Sequence, residues 1–108
     1  MLGLIRVLVV RPELQLLDLR SLLPLDYDAI RACVEKTGKV LIVHEDTLFG
    51  GIGGELSAWI TEHCFKHLDA PVMRCASLDT PVPFAIPLEQ NFLAKSRLEA
   101  SIQKLLNY

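Results

Sequence analysis

Aromatic side chains are scarce in this sequence, in which Phe, Tyr and Trp together account for 6% of 108 residues. Hydrophobic residues nevertheless make up 51% of the chain. The interior is therefore predicted to consist of Leu, Ile, Val and Ala, as in α/β domains whose strands are covered on both faces. This apolar share excludes a disordered chain, and the length suits one domain with one core.

The sequence also lacks clusters of Lys and Arg, and its formal net charge is −2. Such a chain has no basic surface for a phosphate backbone or an anionic membrane. The longest apolar segment, residues 1–10, is interrupted by Arg6 and is too short to span a bilayer. We therefore expect a soluble protein with neither nucleic acid nor a membrane as a partner.

Cysteine is infrequent, and its three occurrences are an odd number at irregular spacing. Cys33, Cys64 and Cys75 each lie in an apolar stretch, where a free thiol behaves as a small hydrophobic group. This pattern predicts buried, unpaired cysteines in a reducing cytoplasm.

The first clear helix is predicted from its two ends. Asp26 follows Pro24 as an N-cap, and Lys36 and Gly38 provide a cation in the last turn and a residue that tolerates positive φ. Residues 39–43 are apolar and β-branched without alternation, which predicts a central parallel strand.

The second half continues the alternation of strands and helices. A glycine loop at residues 50–54 leads into a helix opened by Glu55, and residues 72–76 predict another strand. A proline-rich loop is expected from residue 79 to about residue 89, and Ser96 and Glu99 have the spacing of a capping box before the last helix. Together these elements predict a three-layer α/β/α sandwich with a mostly parallel sheet.

The glycine loop is a candidate anion-binding turn, with Gly51, Gly53 and Gly54 at a helix N-terminus. Its fingerprint is incomplete, because Leu56 stands where a dinucleotide motif has Gly or Ala, and no Gly-Lys-Ser/Thr follows. A tight turn that lets a helix pack closely on a strand is the favoured interpretation. The alternative is a free-standing flavodoxin-like module that binds a phosphate or a nucleotide there.

Three other features could carry chemistry. His63 and His67 are one helical turn apart, but no third and fourth metal ligand is evident, so surface histidines are favoured. The residues of the segment 44–46 (His-Glu-Asp) follow a predicted strand without a recognisable Ser or Cys nucleophile nearby, which favours loop or interface residues. Trp59 suits a core position and an interface position equally. We assign no catalytic, cofactor-binding or metal-binding residue.

A series of blocks gives the sequence a family resemblance. In chain order the blocks are 18–26 (DLRSLLPLD), 36–40 (KTGKV), 44–45 (HE), 50–55 (GGIGGE), 68–74 (LDAPVMR), 79–83 (DTPVP) and 106–108 (LNY). The chain resembles, over about residues 13–108, the C-terminal domain of 2-oxo acid dehydrogenase beta subunits or fused alpha/beta chains. Residues 79–95, with Pro87-Leu88-Glu89-Gln90, are most similar to the branched-chain 2-oxoisovalerate type, and the pyruvate type stays open.

The resemblance implies a transketolase C-terminal-like sandwich that follows a pyrimidine-binding domain. Thiamine diphosphate and magnesium would lie between the alpha and beta parts of the parent enzyme, with none of the cofactor residues in this chain. The domain itself would serve subunit association in a homo-oligomer and would dock the lipoyl acyltransferase of the complex. In related complexes, residues matching Asp69 and the terminal carboxylate of Tyr108 meet arginines of the acyltransferase's subunit-binding domain.

The sequence departs from the family pattern in two places. Ala94 stands where the family usually has proline. Residues 1–12 form a divergent or truncated segment before the domain at 13–108, and residues 1–10 are expected to be either the remnant of a family helix or a substitute strand.

Overall fold

The computed structural model describes residues 6–10, 14–20, 24–81 and 83–108. The strands are β1 (Arg6–Val10), β2 (Leu14–Asp18), β3 (Val40–Thr47) and β4 (Met73–Ser77). The helices are α1 (Tyr27–Thr37), α2 (Ile52–Cys64), α3 (Ile86–Phe92) and α4 (Leu98–Leu106), and 3₁₀ turns occupy Phe65–His67 and Ala94–Arg97.

Local signals define both ends of α1 as predicted. The Asp26 carboxylate accepts a hydrogen bond from the Ala29 N–H at 3.1 Å, which satisfies one of the free amide groups of the first turn. At the other end Gly38 adopts φ 77°, and its N–H donates to the Val34 carbonyl. The predicted N-cap and C-cap glycine are both confirmed.

The four strands form one mixed sheet in the order β2-β1-β3-β4. β3 and β4 are parallel, whereas β1 runs antiparallel to both of its neighbours. Only three residues join β1 to β2, and a connection that short can join only antiparallel strands. β1 thus occupies an interior position, and the parallel part of the sheet is confined to the β3–β4 pair.

Helices cover both faces of the sheet, which confirms the predicted sandwich. One face packs against α1 and α2 in a core that consists of Leu19, Ile30, Cys33, Val34, Val40, Ile42, Leu56, Ile60 and Cys64. The other packs against α4 in a smaller core formed by Leu41, Ala70, Cys75, Ala94 and Leu105. The three cysteines are buried free thiols, as predicted, and burial raises the pKa of Cys33 and Cys64.

The segment after β4 differs from its prediction. Residues 86–92 form α3 rather than a loop, with Pro87 in the first turn, where a missing N–H costs nothing. The predicted capping box at Ser96 is wrong, because the Ser96 hydroxyl donates to the Leu93 carbonyl at 3.0 Å and α4 begins only at Leu98. β3 also continues four residues beyond Val43, so His44 lies within the strand.

Several predictions fall outside the described residues. They concern residues 1–5 and 11–13 of the N-terminal segment, residues 21–23 of the first family block, and Val82 between the two prolines. Of residues 1–10, the part at Arg6–Val10 forms a strand. Within the described ranges, no helix combines the length and hydropathy needed to cross a membrane.

Candidate functional site

A surface groove contains both residues that the family resemblance assigned to partner binding. Its volume is about 510 Å³, and Asp69 and Tyr108 both contribute to its lining. Ser57 and Thr61 of α2 and the 68% exposed ring of Phe65 complete much of the wall. Residues that are 39 positions apart in sequence therefore meet in one concave site, open to solvent.

Asp69 enters the groove from the connection between the Phe65–His67 turn and β4. Its backbone N–H donates to the Gly38 carbonyl at 2.8 Å, which ties this connection to the end of α1. Its carboxylate lies directly against the Cα of Gly38, since a Cβ at that position would be 2.5 Å from Asp69 Oδ2. The side chain remains exposed to solvent.

Tyr108 reaches the groove from the end of α4. Its N–H donates to the Leu105 carbonyl at 3.3 Å, and its side chain is 69% exposed. Leu105 is fully buried in the smaller core, which anchors the last turn of α4. Lys39 adds a second tie, because its Nζ donates to the Leu106 carbonyl at 3.3 Å.

The glycine turn at the start of α2 is packed against a buried histidine. Gly51 and Gly53 are buried, and a Cβ on Gly51 would be 2.6 Å from His44 Cε1. A Cβ on Gly53 would be 2.8 Å from His44 Cδ2. The Gly54 N–H donates to the Gly51 carbonyl at 3.1 Å and is used within the turn. These contacts support the favoured interpretation of close helix–strand packing, and anion binding by the three glycines stays a prediction.

His44 is 2% exposed, and neither ring nitrogen has a hydrogen-bond partner in the part of the chain that the structure describes. Burial lowers the pKa of His44, the Asp46 carboxylate opposes that shift, and the Arg74 guanidinium adds to it. The imidazole is therefore neutral at physiological pH, as expected for a buried ring whose nitrogens have no hydrogen-bond partner among the described residues.

The buried neutral His44 predicts that acid destabilises the fold. The unfolded chain takes up a proton near pH 6.5, the ordinary value, whereas the folded chain does so only at lower pH. The free energy of unfolding should be level above pH 7 and fall below pH 6.5, by at most about 1.4 kcal/mol per pH unit from this group. Urea denaturation at pH 7 and pH 5 measures the difference.

The matched variant is His44→Gln, which removes the titrating group. The dependence of the free energy of unfolding on pH should be weaker in His44→Gln than in the wild-type protein. If the free energy of unfolding falls equally between pH 7 and pH 5 in His44→Gln and in the wild-type protein, His44 does not cause the loss of stability in acid.

His63 and His67 have different neighbours. The His63 ring stacks on Trp59 with centroids 4.6 Å apart, and its Nδ1 lies 3.0 Å from the Trp59 carbonyl oxygen. His67 belongs to the 3₁₀ turn, where its Nε2 lies 3.7 Å from Glu35 Oε1. Among the described residues, no group of three or more His, Cys, Asp or Glu could hold a metal ion.

Sequence reasoning gave no site role to Phe65, which lines the groove, or to Lys39, which bonds the end of α4 just before Tyr108. Lys39 was assigned only to a strand, and Phe65 was not considered. Phe65 directly follows α2, where a large apolar side chain could as well have been core, so no local signal distinguishes it. Lys39 could have been noticed, because a lysine immediately before a buried strand must extend its ammonium group to a polar partner.

With this architecture in view, the comparisons with known proteins place the chain in a family. The model described as "Transketolase, C-terminal domain" matches residues 11–97. The chain therefore belongs to the transketolase C-terminal domain family, as the ordered sequence blocks predicted. The family and the observed sandwich agree on an α/β fold.

The relatives narrow the class. The chain is 49% identical over 73 residues to the 2-oxoisovalerate dehydrogenase subunit beta of Pseudomonas aeruginosa, covering 68% of this chain and 21% of that protein. It is 44% identical over 93 residues to the Bacillus subtilis subunit of the same name, covering 84% and 28%. It is 54% identical over 76 residues to the pyruvate dehydrogenase E1 component subunit beta of Porphyra purpurea, covering 70% and 23%.

These similarities support the interpretation of the chain as a component of a 2-oxo acid dehydrogenase. The chain spans between about a fifth and just over a quarter of the relatives' length.

Proposed function

We propose that this chain acts as the C-terminal assembly domain of a thiamine-diphosphate-dependent 2-oxo acid dehydrogenase of the branched-chain type. Its role is to associate with the alpha and beta parts of that enzyme and to dock the lipoyl acyltransferase. The whole enzyme would carry out oxidative decarboxylation and pass the acyl group to a lipoyl arm. The observation that carries the proposal is that Asp69 and Tyr108 line one groove.

The groove has the chemistry expected for a basic partner domain. The Asp69 carboxylate provides an exposed acceptor, and a carboxylate at Tyr108 would add a second at the same site. Arginine pairs with such acceptors through two parallel N–H···O bonds, which fixes orientation as well as contact. The exposed ring of Phe65 offers an apolar surface next to these polar groups. Charge complementarity of this kind contributes mainly to the association rate and the register of the partner.

The cofactors of the parent enzyme have no place in this chain's proposed role. As the family resemblance implies, we propose that thiamine diphosphate and magnesium lie in the other parts of the enzyme. The cytoplasmic location, like these assignments, remains a prediction.

Self-association is part of the proposal. β2 is an edge strand of the sheet, and its Leu16 is 53% exposed. An edge strand with an exposed apolar residue favours pairing with another chain. The partner parts of the enzyme, or a second copy of this chain, would cover that edge in the assembly.

The docking proposal predicts a moderate, charge-dependent loss of affinity in Asp69→Asn. An exposed ion pair is worth up to about 1 kcal/mol, so the dissociation constant for an acyltransferase subunit-binding domain should rise by up to about fivefold. Isothermal titration calorimetry measures it. The matched control is Glu99→Gln, which removes the same charge from an exposed residue in the first turn of α4, remote from Tyr108.

Comparing a chain that ends at Tyr108 with one extended by two glycines tests the second acceptor, because the extension moves the terminal carboxylate without loss of charge. The extension should weaken binding as Asp69→Asn does. Equal affinities for the wild-type, Asp69→Asn and extended chains would refute docking at this groove.

A further inference from the structure

The dipeptide Gly38–Lys39 contacts Asp69, which lines the groove, and the last turn of α4, from which Tyr108 extends. Gly38 accepts the hydrogen bond of the Asp69 N–H at 2.8 Å, and Lys39 donates to the Leu106 carbonyl at 3.3 Å. The dipeptide connects α1 to β3, so both contacts originate from the same short connection. Asp69 and the end of α4 therefore have a common support.

Gly38 can carry out its part only without a side chain. Its φ of 77° is a left-handed conformation that disfavours other residues. A Cβ at this position would also be 2.5 Å from Asp69 Oδ2 and 3.1 Å from the His67 carbonyl oxygen. The glycine thus serves the C-cap of α1 and the placement of the Asp69 carboxylate at once.

Lys39 is unusual because it is charged and only 9% exposed. Its ammonium group bonds one of the last carbonyls of α4, which have no partner inside the helix. A cation also interacts favourably with the negative end of the helix dipole. Leu106 is two residues before Tyr108, so holding its carbonyl restricts the direction in which the chain enters the groove.

We propose that Gly38 and Lys39 are positioning residues of the docking groove: Gly38 places the Asp69 carboxylate, and Lys39 fixes the segment of α4 that presents Tyr108. The identity of the partner rests on the proposed function above, whereas the positioning itself is a property of the free chain. The two claims can therefore fail separately.

The test combines hydrogen exchange in the free 108-residue chain with binding of the subunit-binding domain. In Lys39→Met the amides of Asn107 and Tyr108 should exchange at least threefold faster, while those of β3 stay protected, and the affinity should fall at least threefold. Lys39→Arg should restore both values. Lys36→Met, which removes an exposed lysine from the last turn of α1, is the control and should change neither.

Gly38→Ala provides the second arm. It should speed exchange of the Asp69 amide and weaken binding without affecting the Tyr108 amide. The positioning role is overturned if Lys39→Met leaves the exchange of Asn107 and Tyr108 unchanged, or if exchange rises equally throughout the chain. If the exchange changes appear but the wild-type chain binds no subunit-binding domain, the positioning holds and the proposed partner is wrong.

Discussion

Gly51→Ala should lower the free energy of unfolding by about 3 kcal/mol, the upper part of the range for overpacking a well-filled interior. The Gly51 backbone is extended and would itself accept alanine, so the cost arises from contact. The added methyl group would meet the Thr47 carbonyl oxygen and the ring of His44. Neither can withdraw easily, because Thr47 is paired with Ser77 of β4 and His44 is buried. Urea denaturation at pH 7.5 measures the loss.

Gly54→Ala is the matched control for this prediction. The nearest atom to its added Cβ is Arg74 Nη1 at 3.7 Å, which is ordinary contact. Since Gly54 lies in the first turn of α2, alanine there should leave stability unchanged or raise it by up to about 1 kcal/mol. Equal stabilities of Gly51→Ala and Gly54→Ala would show that the turn is not closely packed.

Gly53→Ala provides a third test. Both atoms that would lie within 3.0 Å of its added Cβ belong to the His44 side chain. Combining it with His44→Ala should restore part of the stability lost in Gly53→Ala. Additive losses in the double variant would contradict direct contact between the two residues.

Arg97→Met should lower the free energy of unfolding by about 2–3 kcal/mol, because it removes charge-assisted hydrogen bonds to backbone carbonyls. Arg97 donates to the Ala76 carbonyl at 2.6 Å, to that of Phe92 at 3.0 Å and to that of Asn91 at 2.7 Å. These bonds join β4 to α3 and to the turn before α4. Thermal unfolding followed by circular dichroism provides the measurement.

Lys95→Met is the control for Arg97, since Lys95 is exposed in the same 3₁₀ turn and should change stability by less than about 0.5 kcal/mol. Arg97→Lys keeps the charge but cannot reach three carbonyls in the same planar arrangement, so it should recover only part of the loss. A full recovery would mean that the charge alone stabilises this junction.

The elements that the sequence predicted well are those with local causes. The ends of α1 depend on the Asp26 side chain and on the absence of a side chain at Gly38. Both effects act within a few residues. The interior position of β3 follows from its unbroken apolar run, and the free thiols follow from their apolar surroundings. Such features need no knowledge of distant residues.

The features that escaped prediction depend on contacts between distant segments. Pro87 at the start of α3 indicates a loop when the sequence alone is considered, because the packing of the helix is not visible there. In the same way, β1 is only an apolar segment in the sequence, and its role depends on pairing with β2 and β3. The bonds of Arg97 and Lys39 join residues up to 67 positions apart. The joint role of Asp69 and Tyr108 was inferred from family resemblance, since no local pattern indicates that both line one groove.

Docking of the acyltransferase is tested most directly by titrating the wild-type chain with an acyltransferase subunit-binding domain at about 50 mM and about 500 mM salt. A parallel titration with nucleotides is followed by Trp59 fluorescence. Docking at the groove predicts a saturable complex with the subunit-binding domain that weakens as salt screens the Asp69 carboxylate, and no response to millimolar nucleotide. A nucleotide response without binding of the subunit-binding domain would contradict it and would make the glycine turn the functional site.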